Sequence, residues 1–295
     1  MKTIETTNVI PVDLQALLCW NARILKYFAE IIGDNDGKAK FGETEEEIRR
    51  TVNVLLYNKT EKAWLDYNIR DKSHNTLYYL ATAMPLFTKC HAELDIDISN
   101  KFIEFMNRFH VLEYPNGVPT SLNNTGQQWD LPNGWPPLQH IVIEGMRKSD
   151  NPEAQNLAFK LARKWVLANY KVFKKTSKMW EKIDVTGTVP KPGKGGEYNV
   201  QDGFGWTNGV ILDLLSTYYD SIKVEETDDK FPSQVTTSKI ESPKNKSSKI
   251  TSFRIKDSKK IALETKAPQV ACGRLGSVGK DGFGDIAANI KCQCW

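Results

Sequence analysis

Apolar residues recur at three- and four-residue steps through most of the first 220 positions, the rhythm of helices with one buried face. Residues 12–32 carry Leu14, Leu17, Leu18, Ile24, Leu25, Phe28 and Ile31 in that rhythm, and Gly33 predicts the stop. Thr44 with Glu47 three residues on has the form of a capping box and predicts a second helix to about Tyr57. Residues 62–68 read as a short extended piece. A third helix is expected over about 76–91, interrupted near Pro85, and a fourth after Ser99 with Phe102, Phe105 and Met106 on one face. After the prolines Pro136 and Pro137, a short helix is expected from Leu138 to Met146. Asn151 as cap and Pro152 in the first turn open a long one to about Lys178, with Leu157, Leu161, Trp165, Ala168 and Val172 as its inner stripe. A last helix runs from about 208 to 220, with Thr207 or Asn208 as its cap.

Strand-type alternation is almost absent, so the expected class is all-α. Two long irregular segments interrupt the helices, at 110–137 and 186–205, and structureless stretches of that length inside a domain usually carry function. The texture changes from Val224 onward: Lys, Ser, Thr, Glu and Asp dominate and the helical stripes end. Residues 1–222 are therefore expected to fold, and 223–295 to form a low-complexity, disordered tail that buries too little apolar area to offset its ordering entropy.

Composition changes this picture little. Of 295 residues 40% are hydrophobic, enough for a sizeable core, and the net charge is +4. That charge is uneven, because 223–295 hold 14 Lys and Arg against 9 acids and the body is close to neutral. A basic nucleic-acid surface in the folded part therefore has no support, and no nucleic-acid partner is expected. No apolar run approaches the roughly twenty residues of a membrane helix, and Met1–Thr7 has no apolar stretch of the kind a secretion signal needs. Cys19 and Cys90 lie in apolar patterns and read as buried thiols. Cys272, Cys292 and Cys294 lack paired spacing or a histidine partner, so no metal site is expected.

Candidate chemistry sits in two stretches. Gln127-Gln128-Trp129-Asp130-Leu131-Pro132-Asn133-Gly134-Trp135-Pro136-Pro137-Leu138-Gln139 crowds two indoles, a carboxylate and side-chain amides around Pro132 and Asn133-Gly134, which signal a turn. A pyranose offers an apolar C–H face to an aromatic ring and a rim of hydroxyls to amides and carboxylates, so this composition suits a sugar. An ordinary turn anchored by two tryptophans has the same composition. The second stretch, Gly195-Gly196-Glu197-Tyr198-Asn199-Val200-Gln201-Asp202-Gly203-Phe204-Gly205-Trp206-Thr207-Asn208-Gly209-Val210, again mixes glycines, aromatics and acids and runs into an apolar helix.

Both stretches closely resemble signatures of the α,α-trehalases, inverting glycoside hydrolases that split trehalose into two glucoses. The first is similar to a pattern reading QWDxPNxWPP, the second to GGGGEYxxQxGFGWTNGV. The resemblance implies an (α/α)6 toroid of which this chain supplies roughly the C-terminal half, trehalose as the small-molecule substrate, and no cofactor. Met179-Trp180-Glu181-Lys182-Ile183-Asp184-Val185 resembles the family's MFEKYDV, which makes Glu181 the general base. Without the resemblance, Glu181 reads as a solvated acid near a helix end, paired with Lys182 or Lys178. Glu197 is implied as a sugar ligand, Trp135 and Trp129 as stacking or wall residues, and Asp130, Asn133 and Gln128 as supports. Trp206 and Phe204 are expected to pack the last helix rather than to touch sugar.

The family's general acid is an Asp in a segment resembling SGWDFSSRW, upstream of one like TTxIxPVDLN. Thr6-Thr7-Asn8-Val9-Ile10-Pro11-Val12-Asp13-Leu14-Gln15 looks like the latter, which puts the acid ahead of Met1. Gln15 stands for the usual Asn, Ile183 for the usual Tyr, and Pro192-Gly193-Lys194-Gly195-Gly196 breaks the glycine run. A truncated, inactive trehalase-like chain with weak sugar binding is the alternative. The resemblance implies that full-length animal relatives are secreted or membrane-anchored; the compartment of this chain is left open.

Overall fold

Helix α1 spans Val12–Ile32, and Gly33 ends it in the left-handed conformation (φ 74°) that a glycine adopts without a Cβ clash. The next N–H, of Asp34, returns to the Ala29 carbonyl at 2.9 Å, closing the turn. Asp34 then accepts from Gly37 N and starts α2, Asn35–Thr51, with no linker. The second helix thus begins nine residues before the expected capping box. Thr44 is mid-helix, its hydroxyl donating to the Lys40 carbonyl, because the side chain directly after the Gly33 turn caps first. α2 runs on through a π-helical turn, Val52–Leu56. The computed structural model describes residues 6–91 and 98–224. The segment expected to be a disordered tail lies, from 225 on, outside the described residues.

The expected third helix is shorter than its pattern. A 3-10 turn, Leu80–Ala83, leads into α3, Met84–Thr88, and Pro85 starts that helix rather than interrupting it, since a first-turn residue needs no N–H. α4 is Ile98–Arg108. α5, Pro136–Arg147, begins on the two prolines expected to delay it, for the same reason. α6, Pro152–Thr176, is capped by Asn151 as predicted, and Leu157, Leu161, Trp165 and Val172 of its inner stripe join Phe102, Phe105 and Met106 of α4 and Val142, Ile143 and Met146 of α5 in the main core. α7 is Gly205–Thr217. It starts before the expected cap: Thr207 lies inside it, buried, and its hydroxyl donates to the Trp180 carbonyl at 2.7 Å.

Short antiparallel strands stitch the loops. β1 (Val9–Ile10), β4 (Tyr67–Asn68) and β5 (Ser73–His74) form one sheet in the order β1-β4-β5, and β2 (Tyr57–Asn58) pairs β3 (Ala63–Trp64). β3 and β4 lie in the piece predicted to be extended. In the third sheet β6 (Asn133–Gly134) pairs β7 (Ile183–Asp184), which pairs β8 (Lys191–Pro192). Asn133-Gly134, expected as a turn, is therefore strand.

Cys19 and Cys90 are fully buried, as predicted, but they are joined in a disulfide rather than left as separate thiols. Their Cα atoms lie 6.3 Å apart although 71 residues separate them, a proximity that no spacing rule contains. The bond ties α1 to the residues just after α3. Beside it Arg23 donates to the Thr88 and Lys89 carbonyls and to the buried Glu45 carboxylate.

Candidate active site

Two sequence-distant loops are zipped together on the β6-β7-β8 sheet. Asn133 pairs with Asp184 and Gly134 with Ile183, which sets the Trp129–Trp135 stretch beside the Met179–Val185 segment. The Asn133 amide then clamps the glycine loop, its Nδ2 donating to the Lys194 carbonyl at 2.7 Å and its Oδ1 accepting from Lys194 N at 2.9 Å. Gly196 N donates to the Gly126 carbonyl at 3.0 Å. Here the glycines are required: Gly195 and Gly196 have φ of 88° and 93°, and a Cβ on Gly196 would lie 2.8 Å from the Gln128 Cβ.

Glu181 follows α6 on an extended turn and is completely buried. Its Oε1 accepts from the Tyr198 hydroxyl at 3.0 Å and its Oε2 from Gln201 N at 2.8 Å. Its own N–H donates to the Gln201 carbonyl, and its carbonyl accepts from Trp206 Nε1 at 3.2 Å. The solvated-acid reading therefore does not describe it: Lys178 pairs instead with Asp202 at 2.7 Å, and Lys182 turns to the aromatics. The hydrogen bond to Glu181, with burial and the Glu181 charge, raises the Tyr198 pKa above its ordinary value.

The indoles form a shelf. Trp129 and Trp135 stack with centroids 4.0 Å apart and planes at 11°, and the edge of Trp206 meets Trp135 at 5.6 Å. Trp135 is buried and its Nε1 donates to the Gln128 carbonyl, whereas Trp129 is 44% exposed and presents an open ring face. Asp130 holds the loop, accepting from the hydroxyls of Ser121 and Thr125. Gln128 Oε1 is buried without a hydrogen-bond partner. Glu197 lies exposed on the rim of the glycine loop. Trp206, which meets Phe204 at 4.7 Å, anchors the start of α7 to this cluster.

The structure thus brings Glu181, Trp129, Trp135, Asp130, Asn133 and Gln128 into one neighbourhood, with Glu197 on its outer edge. Sequence reasoning did not single out Tyr198, whose hydroxyl holds the Glu181 carboxylate. The only signal was its place beside Glu197 in the glycine stretch. A second cluster, His140, Glu144 and Asp213, has ligand atoms within 4.8 Å of one another. His140 Nε2 meets Asp213 Oδ2 at 2.8 Å, while Arg147 and Lys148 already hold both Glu144 oxygens. Cations of its own helix and C-cap thus occupy Glu144, and the contact with α7 here is the His140–Asp213 hydrogen bond, an arrangement that suits a structural cluster better than a metal site.

The described helices form part of an (α/α)6 toroid of the kind seen in glycoside hydrolases. Neutral trehalase Nth1 from Saccharomyces cerevisiae superposes with a TM-score of 0.57 at 21% identity, covering 71% of this chain and 38% of that one. A GH63 mannosylglycerate hydrolase from Thermus thermophilus, in complex with glucose, gives 0.53 at 17% identity, covering 71% and 48%. The chain belongs to the trehalase family, whose pattern matches residues 1–219. Trehalases of Oryctolagus cuniculus and Homo sapiens are each 39% identical to it over 222 residues, 75% of this chain and 38% of theirs. The trehalase of Apis mellifera is 36% identical over 228 residues, covering 77% and 36%. The chain therefore spans less than two fifths of the length of these relatives. Among the described residues no helix is long and apolar enough to cross a membrane.

Proposed function

We propose that this chain carries the general-base side of a trehalose-hydrolysing site, with Glu181 as the base. Glu181 takes a proton from water as the water oxygen bonds to the anomeric carbon from the face opposite the leaving glucose. The glycosidic C–O bond breaks, and the departing oxygen takes a proton from a carboxylic acid that the family places upstream of the Thr6–Gln15 segment. Two carboxyls acting across a gap of about 6.5–9.5 Å give inversion. The open face of Trp129 is the sugar platform, Trp135 backs it, Asp130, Asn133 and Gln128 hold the loop in place, and Glu197 accepts sugar hydroxyls from the rim.

One observation carries this reading: a buried carboxylate is oriented at both oxygens by the glycine loop, and its backbone carbonyl accepts from Trp206, whose edge meets the Trp135 that backs the solvent-facing Trp129. The test is glucose release from trehalose by the full chain and by Glu181→Gln. Turnover lost in the variant with trehalose still quenching tryptophan emission supports the assignment; turnover retained removes Glu181 from the role. A second reading, sugar binding without hydrolysis, is favoured by the same carboxylate, since water must displace the Tyr198 hydroxyl to reach Oε1. Trehalose quenching of the parent chain with no glucose release selects it.

A further inference from the structure

Lys182 is among the largest fully buried side chains of the molecule. Its ammonium reaches one hydrogen-bond acceptor, the Gly195 carbonyl at 3.3 Å, and otherwise faces rings: it stands 4.8 Å from the centroid of Trp135 and 5.7 Å from that of Tyr198. Since Trp135 stacks on Trp129 as well, the Trp129 ring and the Lys182 ammonium are both in direct contact with its π system. The aliphatic stem is gripped too. Gly193 N donates to the Lys182 carbonyl at 2.9 Å, and a Cβ on Gly193 would stand 2.6 Å from Lys182 Cγ. A buried cation costs free energy unless something in its surroundings compensates it, and here aromatic faces and a peptide dipole do so. Burial lowers the Lys182 pKa, and the neighbouring Glu181 charge opposes that shift.

We propose that Lys182 is a positioning residue: its buried ammonium, seated between Trp135 and Tyr198 and bonded to Gly195, pins the Gly195–Gln201 loop so that the Tyr198 hydroxyl and Gln201 N–H stay on Glu181. The catalytic consequence rests on Glu181 being the base, but the positioning itself does not. A lysine suits the place because its point charge tops a slender stem that fits under Gly193, whereas the same charge on a side chain reaching a carboxylate would satisfy itself locally.

The test uses the full 295-residue chain. Lys182→Met keeps the stem and removes the charge. Hydrogen exchange of amides 195–201 should speed up at least about tenfold in this variant, while α5 and α6 keep their protection. Unchanged exchange at 195–201 overturns the proposal, and so does acceleration spread evenly over α5, α6 and the loop, the mark of general destabilisation. Should Lys182→Met fail to fold, tryptophan emission of the parent chain and of Lys182→Arg, titrated from about pH 7 to 10, decides. The titratable groups facing the ammonium are Glu181 beside it and Tyr198 across the loop. The parent should show a reversible change before ordinary lysines titrate, and the arginine variant, charged throughout, should not. Identical titrations overturn the proposal. Neither readout uses sugar turnover, so a chain that releases no glucose would defeat the base assignment and leave the loop result standing.

Discussion

Helices α1 and α6 have the same kind of pattern, and the structure treats them oppositely. In α6 the predicted stripe is interior: Leu161, Trp165, Ala168 and Val172 are buried, and Leu157 is partly buried against the same core that holds residues of α4 and α5. In α1 the predicted stripe faces out, with Leu14, Leu17, Leu18, Leu25, Phe28 and Ile31 each 38–47% exposed. The face that α1 buries is made instead of small residues, Ala16, Cys19, Ala22 and Ala29, which let α2 and α3 approach closely. Periodicity establishes that a helix has an apolar side. What covers that side depends on the neighbours, and small residues can form a contact face that hydropathy ranks second.

The largest expected effect separates the site from both helices. Glu181→Gln should lower trehalose turnover on the order of a hundred- to ten-thousandfold with little change in thermal midpoint, in any form of the protein that hydrolyses trehalose. The midpoint matters because a buried, doubly bonded acid is also a structural element, and a large thermal shift would make it mainly that.

The helix comparison itself is broken or sharpened by paired truncations. Trp165→Ala in α6 should cost about 3–5 kcal/mol by denaturant unfolding, whereas Phe28→Ala in α1 should stay within about 0.5 kcal/mol. Similar costs would mean that the α1 face is covered in solution. Replacing Leu14 and Leu17 by Ser should then matter mainly for self-association, lowering the concentration-dependent mass seen by light scattering.

The disulfide comes next. Cys19→Ser with Cys90→Ser should lower stability by about 2–4 kcal/mol, since the bond closes a loop of 71 residues in the unfolded chain. Equal midpoints for the parent chain with and without reductant would contradict it. A smaller effect belongs to Glu144. Burial alone would raise its pKa, but the Arg147 hydrogen bond, the Arg147 charge and Lys148 outweigh this and hold it below its ordinary 4.5. A depressed folded value means that the stabilisation is complete above about pH 4.5 and is lost as pH falls through the lower folded value. Glu144→Gln should cost about 1.5–3 kcal/mol near neutrality and flatten the fall in thermal midpoint below pH 4.5. A slope as steep as the parent's would assign the acid sensitivity to other carboxylates.

Much of the candidate site was legible because its chemistry is local. The glycines at 195 and 196, the indoles at 129 and 135 and the acid at 181 are each marked by residue type and immediate neighbours, and the structure brings them together. Most of the misreadings share one cause. Thr44, Thr207 and Asn133-Gly134 carry signals that were each read correctly as a local preference, yet the boundary fell where a competing partner stood: Asp34 for the α2 cap, the Trp180 carbonyl for the Thr207 hydroxyl, β7 for Asn133 and Gly134. Pro85 differs, because a proline that can interrupt a helix can equally start one.

By itself the sequence determined the class, the helix count in outline, the family and the pair of loops that carry the candidate site, because periodicity, turn chemistry and short motifs act within a few residues. Only the tertiary structure decided which face of α1 is buried, that Cys19 meets Cys90, that the Tyr198 hydroxyl reaches the buried acid, and that the Lys182 ammonium lies on Trp135. Those facts depend on contacts between positions that are not sequence neighbours, and such contacts are set by packing and close approach rather than by any preference a single stretch can express.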